Sequence, residues 1–397
     1  MTPFNHQIEI ADKAYEVLQS NAIVYLSMEE RTGKTLTSLL ICEKSKAKNI
    51  LIVTKKKALD GWEDTLKKYK GITKKYTSIN YESIHKLDNP KGFDLIIIDE
   101  AHANLSSYPI ISKTWKKVYE CTKGKPIIFL SATPSAQTYA QLFHQLKLSN
   151  WSPWSKYKNF YDWFNKYGIL KVIFLAGRQI KQYNEVHTEM VWEDVKHLFI
   201  SYTRQELGFK HEPNDVLHYI ELDKETKDRY NELNKHSVIK EFEYIADTPM
   251  KLLVGLHQLE GGTLKVDADR SELLRTDEKI RYIKRVFGDV PSLVIFYHYK
   301  QEELKLKSSF SKATILQATS FAEGVDLSMY ETLVIYSMDF STARYSQRRA
   351  RQANMRRESE INVHYLLVKG AISEQVYQTV AVNKSNFIDK YFNREDL

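Results

Sequence analysis

Cysteine is nearly absent from this chain, with Cys42 and Cys121 the two among 397 residues. Two thiols build neither a disulfide framework nor a four-cysteine zinc site, and they suit a reducing compartment. Long apolar runs are missing as well: none approaches the roughly 20 residues of a membrane span. The opening residues, MTPFNHQIEIADKAYE, are polar and lack the apolar core of a secretory signal. The expectation is a soluble, cytoplasmic protein with no membrane association. Internal repeats and low-complexity segments are absent too, which removes solenoids and disordered scaffolds from consideration.

What remains is an ordinary globular composition, 43% hydrophobic and 27% charged, in a chain long enough for two or three domains. The net charge of +8 favours a polyanionic partner. Basic residues gather in short runs: Lys55, Lys56 and Lys57; Lys67, Lys68, Lys70, Lys74 and Lys75; and the arginines between Arg348 and Arg357. Any one such run serves as a solvated face as readily as a binding surface.

The chain is organised around residues 93–102, FDLIIIDEAH. Residues 95–98 form a wholly apolar, mostly β-branched run, the pattern of a strand buried on both faces of a parallel sheet. Asp99 and Glu100 follow at once, at the carboxyl edge where open α/β sheets bind ligands. There Asp99 suits a magnesium ion and Glu100 an attacking water; the bland alternative is a solvated acidic turn. Upstream, helical spacing over 6–18 leads to a short strand at 22–26, then Met28-Glu29-Glu30-Arg31-Thr32-Gly33-Lys34-Thr35 and another helical pattern. Strand, loop ending in Gly-Lys-Thr, helix is the context of a phosphate-binding loop. Gly33 lets backbone approach phosphate, Lys34 neutralises it, Thr35 ligates magnesium, and the helix offers free N–H groups. Met28 stands where the usual pattern has its first glycine.

Further strands are expected at 49–54, 75–79 and 126–130, the last ending in Ser131-Ala132-Thr133. Strands alternating with helical stretches indicate a doubly wound parallel sheet. Aromatic residues crowd 151–183, largely at helical spacing, which reads as packing before nucleic-acid platform. Around 203–215 the texture turns polar, a crossing between domains. Helical patterns fill 224–259, with a break near Thr248-Pro249, and 277–287. A second α/β series then places strands at 292–297, 313–318, 333–337 and 361–367, without a phosphate loop of its own.

The phosphate loop, the acidic strand, Ser131-Ala132-Thr133, residues 319–326 (TSFAEGVD) and 347–351 (QRRAR) occur in one order, and with them the chain resembles a superfamily-2 helicase of the DEAH type. The Swi/Snf-type branch, with its annealing-helicase members, is the nearest likeness. LIVT at 51–54 followed by Trp62, the stretch 216–233, the aromatic segment 160–167 and YLLVKGAISEQVY at 365–377 carry that resemblance. Compact versions are frequent in bacteriophages, and the Lys-, Asn- and Tyr-rich composition is compatible with that origin. The resemblance implies two RecA-like, doubly wound parallel-sheet domains in tandem, with the ATP site in the cleft between them. They would span 1–208, and 209–397 with a helical insertion at about 224–290.

The resemblance also implies roles. Gln7 would read adenine, and Arg31, Thr32, Gly33, Lys34 and Thr35 would form the phosphate loop. Asp99 would hold magnesium with Thr35, and Glu100 would act on water. Ser131, Ala132 and Thr133 would couple hydrolysis to domain movement. Gly324, Asp326, Gln347, Arg348 and Arg351 would come from the second domain towards the nucleotide. Lys55, Lys56, Lys57 and Thr319 would touch the nucleic-acid backbone. Two residues depart from the family pattern. Arg31 replaces a loop glycine, and Asn354 replaces the second arginine of the last motif, so the arginine finger stays open among Arg351, Arg348 and a more distant arginine. The activity implied is an ATP- and magnesium-dependent DNA translocase or helicase acting, as a monomer, on duplex, forked or single-stranded DNA in replication, recombination or repair. An RNA helicase and a nucleic-acid-binding scaffold without hydrolysis are the alternatives.

Overall fold

The computed structural model describes residues 1–135, 138–175, 178–318, 327, 329–341, 345, 348–353 and 357–382. The chain divides into two units, Met1–Gly208 and Phe209–Leu397. Each is an α/β unit built on a parallel sheet with flanking helices.

In the first unit the strands are β1 (Ile23–Met28), β2 (Asn49–Thr54), β3 (Lys75–Asn80), β4 (Leu95–Asp99), β5 (Ile127–Ser131), β6 (Gly168–Leu175), β7 (Arg178–Val186) and β8 (Phe199–Tyr202). Six of them form one sheet in the order β3-β2-β4-β5-β1-β8, every pairing parallel. The interior strands β2, β4, β5 and β1 are apolar on successive residues because both sheet faces are covered. Ile50, Leu51 and Ile52 on β2, and Ile96 and Ile97 on β4, are all fully buried. Three helices bear on the site: α1 (Asn5–Asn21), α2 (Lys34–Lys44) and α3 (Leu59–Lys68). The aromatic stretch is core. Trp154, Phe160, Trp163, Phe164 and Tyr167 are buried with Phe143 in the unit's main apolar cluster, while Trp151 and Tyr161 face solvent. The helical part covers Phe160–Tyr167 alone. From Gly168 the chain forms the antiparallel hairpin β6–β7, which makes a sheet of its own and exposes Ile169, Leu170 and Val172.

The second unit opens with β9 (Pro213–Tyr219), which lies at the edge of a five-stranded parallel sheet. Two short hairpins follow, β10 (Val238–Ile239) with β11 (Tyr244–Ile245), and β12 (Thr263–Lys265) with β13 (Ser271–Leu273). The remaining sheet strands are β14 (Leu293–Tyr297), β15 (Thr314–Gln317), β16 (Thr332–Ile335) and β17 (Ile361–Leu367), in the order β15-β14-β16-β17-β9. The span 224–290 is therefore helical over Lys224–His236, Pro249–Glu260 and Glu278–Val286, with hairpins between. The break in the first pattern falls at Ser237, whose left-handed backbone (φ 57°) ends the helix. Thr248 and Pro249 instead start the next one, the Thr248 hydroxyl accepting from the Lys251 N–H.

Among the described residues, no helix is long and apolar enough to cross a membrane.

Candidate functional site

Parallel pairing brings the carboxyl ends of β1, β4, β5, β2 and β8 to one edge of the first sheet, and the chemistry collects there. After β1 the chain makes the loop 29–33 and enters α2 through Gly33, which has no side chain with which to cap the helix's first N–H groups. Gly33 has φ +86°, where an L side chain is strained, and a Cβ there would lie 2.1 Å from Gln7 Nε2, so the Gln7 amide would have to give way. Gln7, on the buried face of α1, accepts from the Phe4 N–H through Oε1 at 2.9 Å and donates from Nε2 to the Gly33 carbonyl at 3.4 Å. The Lys34 ammonium lies across the loop, donating to the carbonyls of Met28 (2.7 Å) and Glu29 (3.0 Å). Thr32 is buried and donates to the Glu29 carbonyl at 2.7 Å. Thr35 is half-buried in the first turn of α2. Arg31 adopts a left-handed backbone, φ 69°, the conformation that glycine takes most easily.

Asp99 ends β4 and Glu100 follows it, also left-handed at φ 54°. The Thr54 hydroxyl (2.7 Å) and the Trp62 indole N–H (3.0 Å) both donate to Asp99 Oδ2, and the Tyr81 hydroxyl donates to the Asp99 carbonyl at 2.6 Å. Burial raises the Asp99 carboxyl from its ordinary value, against the pull of those two side-chain donors and of Lys34 and Lys55. Glu100 is pushed up to about 7, by burial first and by the charge of Asp99 second; Lys34 and Lys55 lower it and Glu30 raises it. Two adjacent recessed carboxylates near a lysine are a site that gains from a divalent cation.

His102 joins the acidic strand to the next one. Its Nδ1 lies 2.8 Å from Ser131 Oγ and 3.3 Å from Glu100 Oε2, and burial lowers its pKa to about 3, so the ring is neutral. Ser131 is buried at the end of β5 and its hydroxyl oxygen accepts from the Thr133 N–H at 3.0 Å. Ala132 and Thr133 are half-buried in the turn beyond it. Lys55 follows β2, near enough to the carboxylate pair to lower both their pKa values, whereas Lys56 and Lys57 are exposed in the next turn. Sequence reasoning assigns Thr54, Trp62, Tyr81 and His102 no role towards the carboxylates. Each stands at a strand end or in the segment after it, and that position is the available signal.

In the second unit, Thr319, Gly324, Asp326, Gln347 and Asn354 lie outside the described residues. The described arginines around 350 do not form an exposed basic helix face. Arg348 is 2% exposed and paired with Asp339 at 2.9 Å. Arg349 Nε donates to Asp215 Oδ1 at 2.7 Å, and Arg357 Nη1 to the Tyr330 carbonyl at 3.2 Å. Arg351 is half-buried in a 3-10 turn, Ala350–Gln352.

Residues 1–136 match the family model described as "Type III restriction enzyme, res subunit". That stretch contains both the phosphate loop and the acidic pair. Among solved structures, the Sulfolobus solfataricus SWI2/SNF2 ATPase core in complex with dsDNA is similar at 15% identity and a TM-score of 0.44, over 98% of this chain and 92% of that one. No curated protein matches the chain.

Proposed function

We propose that this protein is an ATP-dependent nucleic-acid motor of helicase superfamily 2, using ATP with Mg2+ and acting on DNA. One observation carries the reading: a Gly-Lys-Thr loop at a helix N-terminus and a recessed Asp-Glu pair share one edge of a parallel sheet. The residues fit the nucleotide. Gly33 keeps the loop free of side chain, Lys34 presents an ammonium with loop carbonyls as its partners, and Thr54 and Trp62 hold Asp99 by the same oxygen.

When bound, ATP with Mg2+ supplies the phosphoryl group whose transfer to water releases the energy of movement. Lys34, with the backbone of Arg31, Thr32 and Gly33 and the N–H groups of α2, would hold the phosphates, and Thr35 and Asp99 the metal. Gln7, packed against Gly33, would meet the adenine side. Glu100 would orient the attacking water and take its proton, its raised pKa suiting a base near neutral pH. The Ser131 hydroxyl, tied to His102 and to Thr133, would pass a change at Glu100 into the turn after β5. From the second unit, Arg351, Gln347, Gly324 and Asp326 would complete the site, and Arg348 would brace it through Asp339 instead of reaching the nucleotide. Lys55, Lys56, Lys57 and Thr319 would follow the phosphate backbone without reading bases.

The net charge of +8 favours a polyanionic track, and the Swi/Snf-like stretches at 51–62 and 365–377 favour DNA over RNA. An RNA track is the second reading. The deciding experiment measures ATP hydrolysis with duplex DNA, single-stranded DNA and RNA. Stimulation by DNA is expected. Stimulation by RNA alone replaces the track, and no hydrolysis under any condition leaves a scaffold.

A further inference from the structure

The phosphate loop carries two carboxylates, Glu29 and Glu30, beside the place proposed for the most negative part of the nucleotide. Unopposed, they would repel it. Both are met by Arg204, which lies two residues beyond β8 and is 6% exposed. The Arg204 backbone N–H donates to Glu29 Oε2 at 2.7 Å, and its Nε lies 3.7 Å from the same oxygen. Arg204 Nη1 donates to the Glu30 carbonyl at 3.4 Å and lies 3.6 Å from Glu30 Oε2. The register of β1 with β8 brings the two segments together, and the Glu29 N–H donates to the Tyr202 carbonyl at 3.1 Å. Glu29 is in turn the residue whose carbonyl receives both Lys34 and Thr32.

We propose that Arg204 is a positioning residue for the phosphate loop: it neutralises Glu29 and Glu30 and fixes the backbone on which Lys34 and Thr32 rest. It binds no phosphate itself. The Arg204 main-chain N–H holds the Glu29 carboxylate, and its guanidinium lies by that carboxylate and donates to the Glu30 carbonyl, just ahead of left-handed Arg31, so the side chain bears on the loop's path as well as its charge. Arg204 also stands four residues before Gly208, where the first unit ends, so the residue steadying the loop belongs to the segment leading out of that unit. The affinity part of this inference rests on the nucleotide reading above; the loop-ordering part does not.

Two measurements on the full chain separate them. Hydrogen exchange without nucleotide reads the loop directly: Arg204→Ala should speed exchange of amides 29–33 by about tenfold or more while β4 stays protected. Titration with a fluorescent ATP analogue and Mg2+ reads affinity: Arg204→Ala should bind about tenfold more weakly, and adding Glu29→Gln with Glu30→Gln should restore most of that loss. Should Arg204→Ala fail to fold, Arg204→Lys keeps the charge and loses the fork, and the same loop-confined increase in exchange is expected. Wild-type exchange in either variant overturns the ordering role. Wild-type affinity in Arg204→Ala, or a triple variant as weak as the single one, overturns the electrostatic role. A wild-type chain that binds no nucleotide overturns the underlying function, while the exchange result still decides the loop.

Discussion

Arg31 stands where the resembled family carries glycine, and its backbone keeps the conformation that glycine serves, at a cost of about 1–2 kcal/mol for an L-residue. Gly33, two residues on, has less latitude: its φ of +86° strains any L side chain, and a Cβ would displace the Gln7 amide from the Gly33 carbonyl. Arg31→Gly should therefore leave nucleotide affinity and the melting temperature close to wild type, the relieved strain offsetting the added freedom of the unfolded chain. Gly33→Ala should lose about tenfold or more in nucleotide affinity. A titration with Mg2+-ATP checks both, and equal losses would mean that the loop's shape is not what matters. Glu100 yields a pH prediction. Its carboxyl, raised to about 7, faces Asp99, Glu30, Lys34, Lys55 and neutral His102, and must be ionised to take a proton. Turnover should fall as pH drops through about 7, approaching tenfold per unit, and Glu100→Gln should be slower by about a hundredfold or more with that limb gone. Stability runs the other way. A carboxyl whose folded pKa exceeds its unfolded value stabilises most below about 4.5 and loses that contribution as pH rises through about 7. At pH 8 Glu100→Gln should thus melt higher than wild type, which calorimetry can read.

At the scale of elements, strands buried on both faces are the legible ones. Runs such as 49–54, 95–98 and 292–297 announce themselves by apolar residues, many of them β-branched, and β2, β4 and β14 lie there. The hairpin β6–β7 and the edge strand β9 are not legible, because Arg178, Gln179, Lys181, Gln182 and Asn184, or Asn214, Asp215 and His218, interrupt any such run, and the four residues of β8 are too few to make one, although the edge strands β3 and β15 are read. An edge strand or separate hairpin needs only one apolar face, and in short segments that signal is lost among polar residues. The site divides in the same way. Lys34, Asp99 and Glu100 stand out as motifs; Thr54, Trp62 and His102 fall within the quoted stretches but show their contacts only in the fold, and Tyr81 and, as proposed, Arg204 reach the site from segments that spacing does not reveal. The helix Phe160–Tyr167 reads from sequence as packing, and its energy is testable. Trp163 is fully buried against Phe143, Trp154, Phe160 and Tyr167, so Trp163→Ala should cost about 3–5 kcal/mol by denaturant unfolding.

For the whole molecule the issue is whether two units with separate cores act as one catalyst. The first holds the phosphate loop and the acidic pair, and the second has no Gly-Lys-Thr loop, so a motor needs the second unit to contribute something that responds to its track. Arg348 and Arg349 are committed to Asp339 and Asp215 within their own unit. Removing either would damage the fold and teach little about catalysis. Arg351, half-buried in the following 3-10 turn, is the arginine on which the proposed shared site rests. As a finger stabilising transition-state charge it would be worth on the order of a thousandfold in rate. Arg351→Ala should then keep wild-type melting, nucleotide affinity and DNA affinity, while DNA-stimulated hydrolysis drops by about that factor. DNA binding itself should weaken log-linearly with salt in both proteins, since phosphate contacts release counterions. A variant that keeps its turnover but shows a shallower salt slope would make Arg351 a backbone contact, and catalysis would then belong to the first unit with the second serving to hold the track.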